Sequence, residues 1–286
     1  MLNAFWTLGV LGLEWRMIKN PLSPGLALLA ALALSLSCAS PQGTWKHADA
    51  GPAGFDCDLR RPLDNALWES EPKQATQGPC GADPDLLETT PDGLRLVLCR
   101  RNWRRNSCAY GSLWSKHPLG YGTVSAVLKC PIEPGETAEL LLLGDALSQD
   151  GPQKAIELRF LGKDLGGVQL RTLWDANSND RDQGLSTWVK LGFDPGAGFH
   201  TWSIRWEPGR VTWSVDARTL ATTTLAVPQR PLTLVLRHWV PDTGDPNETE
   251  DWNDTSSESI LQYGALDRAR WPTFTTVRAL SFVPLQ

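Results

Sequence analysis

Between Gly93 and the C-terminus, apolar residues recur in short continuous or alternating runs separated by turn residues, and no long stretch holds a 3.6-residue period. Ten segments carry the pattern: Gly93–Cys99, Tyr110–Lys116, Thr123–Lys129, Glu139–Leu143, Ala155–Leu161, Val168–Trp174, His200–Trp206, Val211–Val215, Thr233–Trp239 and Val277–Val283. Pro91-Asp92-Gly93, Gly120-Tyr121-Gly122, Pro195-Gly196 and Pro208-Gly209 supply turns between them. The spacing predicts an all-β domain, and this many strands in one stretch reads as a single large sandwich rather than separate domains. Asp242–Glu258 is acidic and polar, reads as a long surface loop, and contains two Asn-x-Ser/Thr sequons, at Asn247 and Asn253.

The N-terminal part follows a different pattern. Leu26–Leu36 is unbroken apolar and small, preceded by Lys19 and followed by Ser37-Cys38-Ala39. It is too short to span a bilayer and suits the apolar region of an export signal. Met17-Ile18-Lys19 makes a more ordinary start than the preceding segment, which contains Trp6, Glu14 and Trp15, so translation is expected to begin there. Leu34-Ser35-Leu36-Ser37-Cys38 is similar to a bacterial lipoprotein signal, with Cys38 as the lipidated residue; plain secretion with Cys38 unmodified is the alternative. The chain therefore divides into a signal segment, 1–38, a Pro/Gly/Ala/Ser-rich tether, 39–54, and the β-domain, 55–286. Localisation is expected at the bacterial outer membrane or cell surface, otherwise in the periplasm or medium, with membrane contact through the lipid anchor only.

Composition narrows the partners. A net charge of −5 and a pI near 5.4 provide no basic field, which excludes a general nucleic-acid binder. Beyond Cys38 the cysteines are Cys57, Cys80, Cys99, Cys108 and Cys130, with no CxxC pair and no His at metal spacing, so neither zinc nor another cofactor is expected. In an oxidising compartment they can form two disulfides and leave one thiol.

AIELRFLGKDLGGVQLRTLW (155–174) resembles the active-site strand and the next strand of bacterial β-1,3-1,4-glucanases (lichenases) of glycoside hydrolase family 16. LGFDPGAGFHTWSIRWEPGRVTWSVDA (191–217), VPQRPLTLVLRHW (227–239) and LGYGTVSAVLK (119–129) continue it, with a looser match at Asp64–Glu69. The resemblance implies a concanavalin A-like jelly roll: two antiparallel sheets face to face, the concave one lining a sugar cleft. It also implies a disulfide between Cys80 and Cys108, with no pairing implied for Cys57, Cys99 and Cys130.

Retaining glycosidases need two carboxyl groups about 5 to 5.5 Å apart. The family takes them from Glu-x-Asp-x-Glu on one strand, where the period of two aims all three at one face. The resemblance puts Ala155, Glu157 and Arg159 at those places. A methyl group cannot attack an anomeric carbon, and a guanidinium does not give up its proton near neutral pH, so no catalytic residue is expected. Other family cleft positions fall on Gln153, Arg171, Leu173 and Arg237, while Trp239 and Trp252 match stacking tryptophans. Glu157, Arg159, Arg171, Arg237, Trp239 and Trp252 are the candidate ligand contacts, and the three arginines make an anion-binding cleft around one carboxylate. His200 is expected to be structural, His238 to point away from the cleft, and Trp202, Trp206 and Trp213 to pack between the sheets. Thr275 stands where the family's calcium site takes an Asp, so calcium is not expected.

Three functions remain open at this level. One is a non-catalytic protein that binds a polysaccharide or oligosaccharide, the ligand anionic where the arginines select it. The second is a β-glucan hydrolase working through Glu157 with another carboxylate, Asp150 or Glu139. The third is a cell-envelope scaffold with an empty cleft.

Overall fold

The structure, a computed structural model, describes residues 54–71, 80–102, 107–133, 136–144, 155–162, 166–173, 184–240 and 271–286. Cys38, Asp150, Gln153, Trp174, Trp252 and both sequons lie outside the described residues. The described residues all belong to one compact unit, Trp45–Gln286.

In chain order the first strands are β1 Phe55–Asp58, β2 Trp68–Ser70, β3 Cys80–Ala82, β4 Leu87–Thr90, β5 Gly93–Asn102, β6 Ser107–Tyr110, β7 Ser112–Ser115 and β8 Gly122–Lys129. There follow β9 Thr137–Leu143, β10 Ala155–Leu161, β11 Gly167–Leu173, β12 Ser186–Lys190, β13 His200–Glu207, β14 Arg210–Val215, β15 Arg218–Thr223, β16 Thr233–Trp239 and β17 Thr273–Pro284. A 3-10 turn, Pro84–Leu86, is capped by Asp83, whose Oδ1 accepts from the Asp85 N–H at 3.2 Å.

Two sheets result. The larger runs β15-β14-β13-β8-β17-β5-β6-β3, with β1 also paired to β17 and β4 to β5. The smaller runs β12-β11-β10-β9-β16-β7-β2. All pairings are antiparallel except β3 with β6, whose parallel register sets Cys80 opposite Cys108, and these two form a disulfide. No other disulfide forms among the described residues: Cys57, Cys99 and Cys130 stay as thiols, so the second bridge allowed by the cysteine count is absent there.

The core is made by one face of each sheet. Ile156, Leu158 and Phe160 of β10, Leu140 and Leu142 of β9, and Leu234 and Leu236 of β16 pack against Trp202, Ile204 and Trp206 of β13 and Trp213 of β14. The three tryptophans are essentially inaccessible, as interior packing requires.

The segment 110–116, which reads as one strand from its pattern, is two. The chain crosses from the larger sheet to the smaller at Gly111, where a Cβ would come within 2.3 Å of the Leu86 carbonyl oxygen. Only glycine permits that approach, so the crossing is placed where backbone meets backbone.

Candidate functional site

The period of two that buries Ile156 and Leu158 turns Ala155, Glu157 and Arg159 to the opposite, outer face of the smaller sheet. Antiparallel register then lines residues of neighbouring strands into rows across that face. One row reads Ser112, Arg237, Glu139, Arg159, Gln169, Trp188, from β7 through β12. The next reads Glu69, Trp114, Val235, Leu141, Glu157, Arg171, Ser186. Ala155, Leu141 and Val235 form a small apolar cluster of their own beside Trp114 and Leu143.

The centre of the face is an ion-pair network. Arg159 Nε lies 2.9 Å from Glu139 Oε1 and 3.9 Å from Glu157 Oε2, and Arg171 Nε is 3.9 Å from the same Glu157 oxygen. Arg237 Nε donates to Glu139 Oε2, and its guanidinium covers the Trp239 ring at 4.0 Å from the centroid. The structure thus brings Glu157, Arg159, Arg171, Arg237 and Trp239 together, as the sequence pattern implies. It adds Glu139, so the arginines meet two carboxylates rather than one.

The carboxylates are held differently. Burial works to raise the Glu139 pKa, but Arg237 and Arg159 prevail and hold it below the ordinary value. For Glu157 burial wins over Arg159 and Arg171, helped by the neighbouring Glu139 charge, and its pKa is raised. Exposure differs too: the side chains of Arg159, Arg171 and Arg237 are 2%, 9% and 25% accessible, so the last is the cation that reaches the surface.

Beyond Arg237, a third carboxylate appears that the sequence pattern did not single out. Glu71 Oε2 accepts from the Tyr110 hydroxyl and from Ser112 Oγ, both at 3.2 Å, and Trp114 Nε1 donates to Ser112 Oγ at 3.1 Å. Burial and the Glu71 charge push the Tyr110 hydroxyl up to about 12.

His238, one residue away from Trp239, points into the sandwich, as alternation requires. Its Nε2 lies 3.0 Å from Glu136 Oε2 and its Nδ1 3.4 Å from Thr275 Oγ1, and Thr275 Oγ1 is in turn 3.3 Å from Cys130 Sγ. Thr275 is therefore occupied inside the sandwich, and among the described residues no group of three or more His, Cys, Asp or Glu is arranged to hold a metal. His200 is structural in its contacts: Nδ1 sits 2.6 Å from Asp216 Oδ2, and its ring stacks on Phe193 at 4.2 Å.

A two-sheet jelly roll whose smaller sheet presents a polar and aromatic face of this kind defines the class of the β-glucanase-like sandwiches. The chain belongs to the glycosyl hydrolases family 16, whose family model matches residues 85–259. It is 27% identical over 222 residues to a β-glucanase of Paenibacillus macerans, covering 75% of this chain and 85% of that protein. To a β-glucanase of Bacillus licheniformis it is 28% identical over 198 residues, 69% of this chain and 70% of the relative. A solved B. licheniformis β-glucanase has the same fold, with a TM-score of 0.66 at 20% identity over 82% of this chain and 99% of that one. A family 16 enzyme from a Bacteroides ovatus mixed-linkage glucan locus, solved with a glucan product, superposes with a TM-score of 0.63 at 16% identity, covering 80% and 99%.

Proposed function

We propose that this family 16 protein binds a polysaccharide without hydrolysing it. The observation that carries the reading is the outer face of β10: Ala155, Glu157 and Arg159 stand where the family resemblance places its catalytic triplet, and Arg159 is paired to Glu139. The carboxylates at the centre are enclosed by guanidinium groups, whereas hydrolysis needs one carboxylate beside the anomeric carbon and one acid beside the leaving oxygen. Half-buried Trp114, Trp188 and Trp239 on the same face favour a ligand over an empty scaffold. No release of reducing sugar is expected from mixed-linkage glucan or laminarin. Turnover by the native protein that disappears in Glu157→Gln or Glu139→Gln would overturn the reading.

That outcome would instead support the hydrolase reading, for which one observation speaks. Glu139 and Glu157 are diagonal neighbours on adjacent strands, with one pKa held low and the other raised, the split expected of a base or nucleophile beside an acid.

The ligand class we propose is an acidic glycan, bearing uronate or sulfate. The centre of the face holds three guanidinium groups and two carboxylates, one of which resists ionisation, and Arg237 is the most accessible of the three cations, beside Trp239. Calorimetry is expected to give tighter binding of alginate-type than laminarin-type oligosaccharides, weakening with salt. Equal binding of both would leave the arginines as internal ion pairs. We further propose that the protein is exported and lipidated at Cys38; unchanged membrane fractionation of Cys38→Ser would refute the anchor.

A further inference from the structure

The two carboxylates of the ion-pair centre are held unequally, and the strand registers are the reason. Glu139 has Arg159 opposite on β10 and Arg237 opposite on β16, a cation on either flank. Glu157 has Arg171 opposite on β11 but Leu141 opposite on β9, with Val235 beyond it on β16. Its Oε2 lies 3.9 Å from both Arg159 Nε and Arg171 Nε and, though buried, accepts no hydrogen bond from any described residue. The side chain is nonetheless enclosed, with 11% of it accessible. A carboxylate taken out of water without hydrogen bonds to its oxygen loses much of what favours its charged form.

The charged groups that act on Glu157 are Arg159 on its own strand, Arg171 on β11, Glu139 on β9 and Arg237 on β16, and burial prevails over the cations among them, so its pKa is raised. From β12 and β7 the uncharged Ser186 and Trp114 complete the row. An anion drawn to this face by Arg237 comes two strand spacings, about 10 Å, from the Glu157 carboxyl. At that range in a partly enclosed site screening is weak, and two negative charges disfavour each other. We propose that Glu157 takes up a proton when an anionic sugar binds this face, so that the cleft captures ligand and proton together. This rests on the acidic-glycan reading above. By linkage the coupling runs both ways: the ligand favours the protonated carboxyl, and the protonated carboxyl favours the ligand. The bound anion lifts the Glu157 pKa above its value in the free protein. Affinity is therefore highest below the free value and declines as pH rises from there to the higher value in the complex.

Titration calorimetry in paired buffers of different ionisation enthalpy counts the protons taken up per ligand bound. The native protein is titrated with sulfated and with neutral laminarin-type oligosaccharides at several pH values between about 5 and about 8, a range in which carboxyls with raised pKa titrate while sulfate esters stay ionised. The sulfated ligand is expected to bring in a substantial fraction of one proton within that range, with an affinity about tenfold lower at the alkaline end than at the acidic end, and the neutral ligand to bring in none. Glu157→Gln and Glu157→Leu are neutral at every pH, and either one that a thermal melt shows to be folded is expected to bind the sulfated ligand with no proton uptake and no such decline. In the native protein, an infrared difference spectrum on binding should gain a carboxylic acid band, a readout that needs no variant. Binding of the sulfated ligand without proton uptake at every pH, equal uptake with the neutral ligand, or uptake that persists in a folded neutral variant refutes the coupling while the acidic-glycan reading stands. If the native protein binds neither sulfated nor alginate-type oligosaccharides at any of these pH values, that reading falls and the coupling with it.

Discussion

Glu139 lies between two guanidinium groups, and removing its charge takes from buried Arg159 a carboxylate at 2.9 Å. Glu139→Gln is therefore expected to destabilise the protein by about 3–5 kcal/mol in urea unfolding at pH 7. Glu157→Gln should behave in the opposite way. Its surroundings raise its pKa, so they resist its charge, and a neutral amide there is expected to leave stability at pH 7 unchanged or higher. The two glutamates also differ in their pH dependence. The depressed pKa of Glu139 contributes stability that is present above the ordinary value of 4.5 and lost as pH falls through the lower folded value. The raised pKa of Glu157 contributes stability that is present below 4.5 and lost as pH rises through its folded value. Acid unfolding of Glu139→Gln should accordingly show a shallower loss of stability below pH 4.5 than the native protein, relative to each protein's own neutral stability. An unchanged slope would mean that Glu139 is not charged in the fold.

Elements were legible in proportion to how fully they are buried. Strands β8, β13 and β14 alternate cleanly because one face meets the core, while β9 and β10 are buried on both faces and read as apolar runs, and β16 keeps Arg237 and Trp239 half-buried on its outer face. The short or polar strands β1, β2, β3, β4, β12 and β15 gave no such pattern. The β15 strand, Arg-Thr-Leu-Ala-Thr-Thr, forms because the tight turn before it folds it back on β14. That turn puts Asp216 and Ala217 at φ 47° and 63°, the two-residue hairpin geometry with both central residues left-handed. Asp216 is suited to it and is anchored, its Oδ1 accepting from Thr201 N–H at 2.9 Å and its Oδ2 meeting His200. Ala217 is strained by its Cβ. Ala217→Gly is expected to raise stability by about 0.5–1 kcal/mol, seen as a higher Tm, after allowing for the entropy glycine adds to the unfolded chain. A lower Tm would show that the turn is not strained.

For the whole molecule, the edge of the larger sheet is closed by β3, three residues held to β6 by a parallel pairing and by the Cys80–Cys108 bond. The bond spans 28 residues, and the loop it closes should make it worth about 3–4 kcal/mol through the entropy of the unfolded chain. Replacing both cysteines with alanine is expected to lower the urea midpoint accordingly while leaving oligosaccharide binding intact, because Tyr110 and Glu71 remain in place beyond the bond. Loss of binding in a folded double variant would instead tie the disulfide to the position of Tyr110.

The sequence alone determined what depends on periodicity and residue chemistry. The all-β class and the strands with a buried face follow from a period of two, and once the family resemblance sets Glu157, Arg159 and Trp239 on the cleft side, alternation turns His238 inward, because alternation is a local property of extended backbone. What it could not decide was partnership across strands. Glu139 is 20 positions before Arg159 and 98 before Arg237, and only the registers of β9 with β10 and with β16 set the three in one row. Glu71 with Tyr110, and Trp188 with Gly167, are likewise meetings of segments whose patterns are silent about each other. Register is set by the simultaneous burial of many side chains on the far face of each sheet, so a residue's neighbours on the near face are fixed by residues that never touch the site.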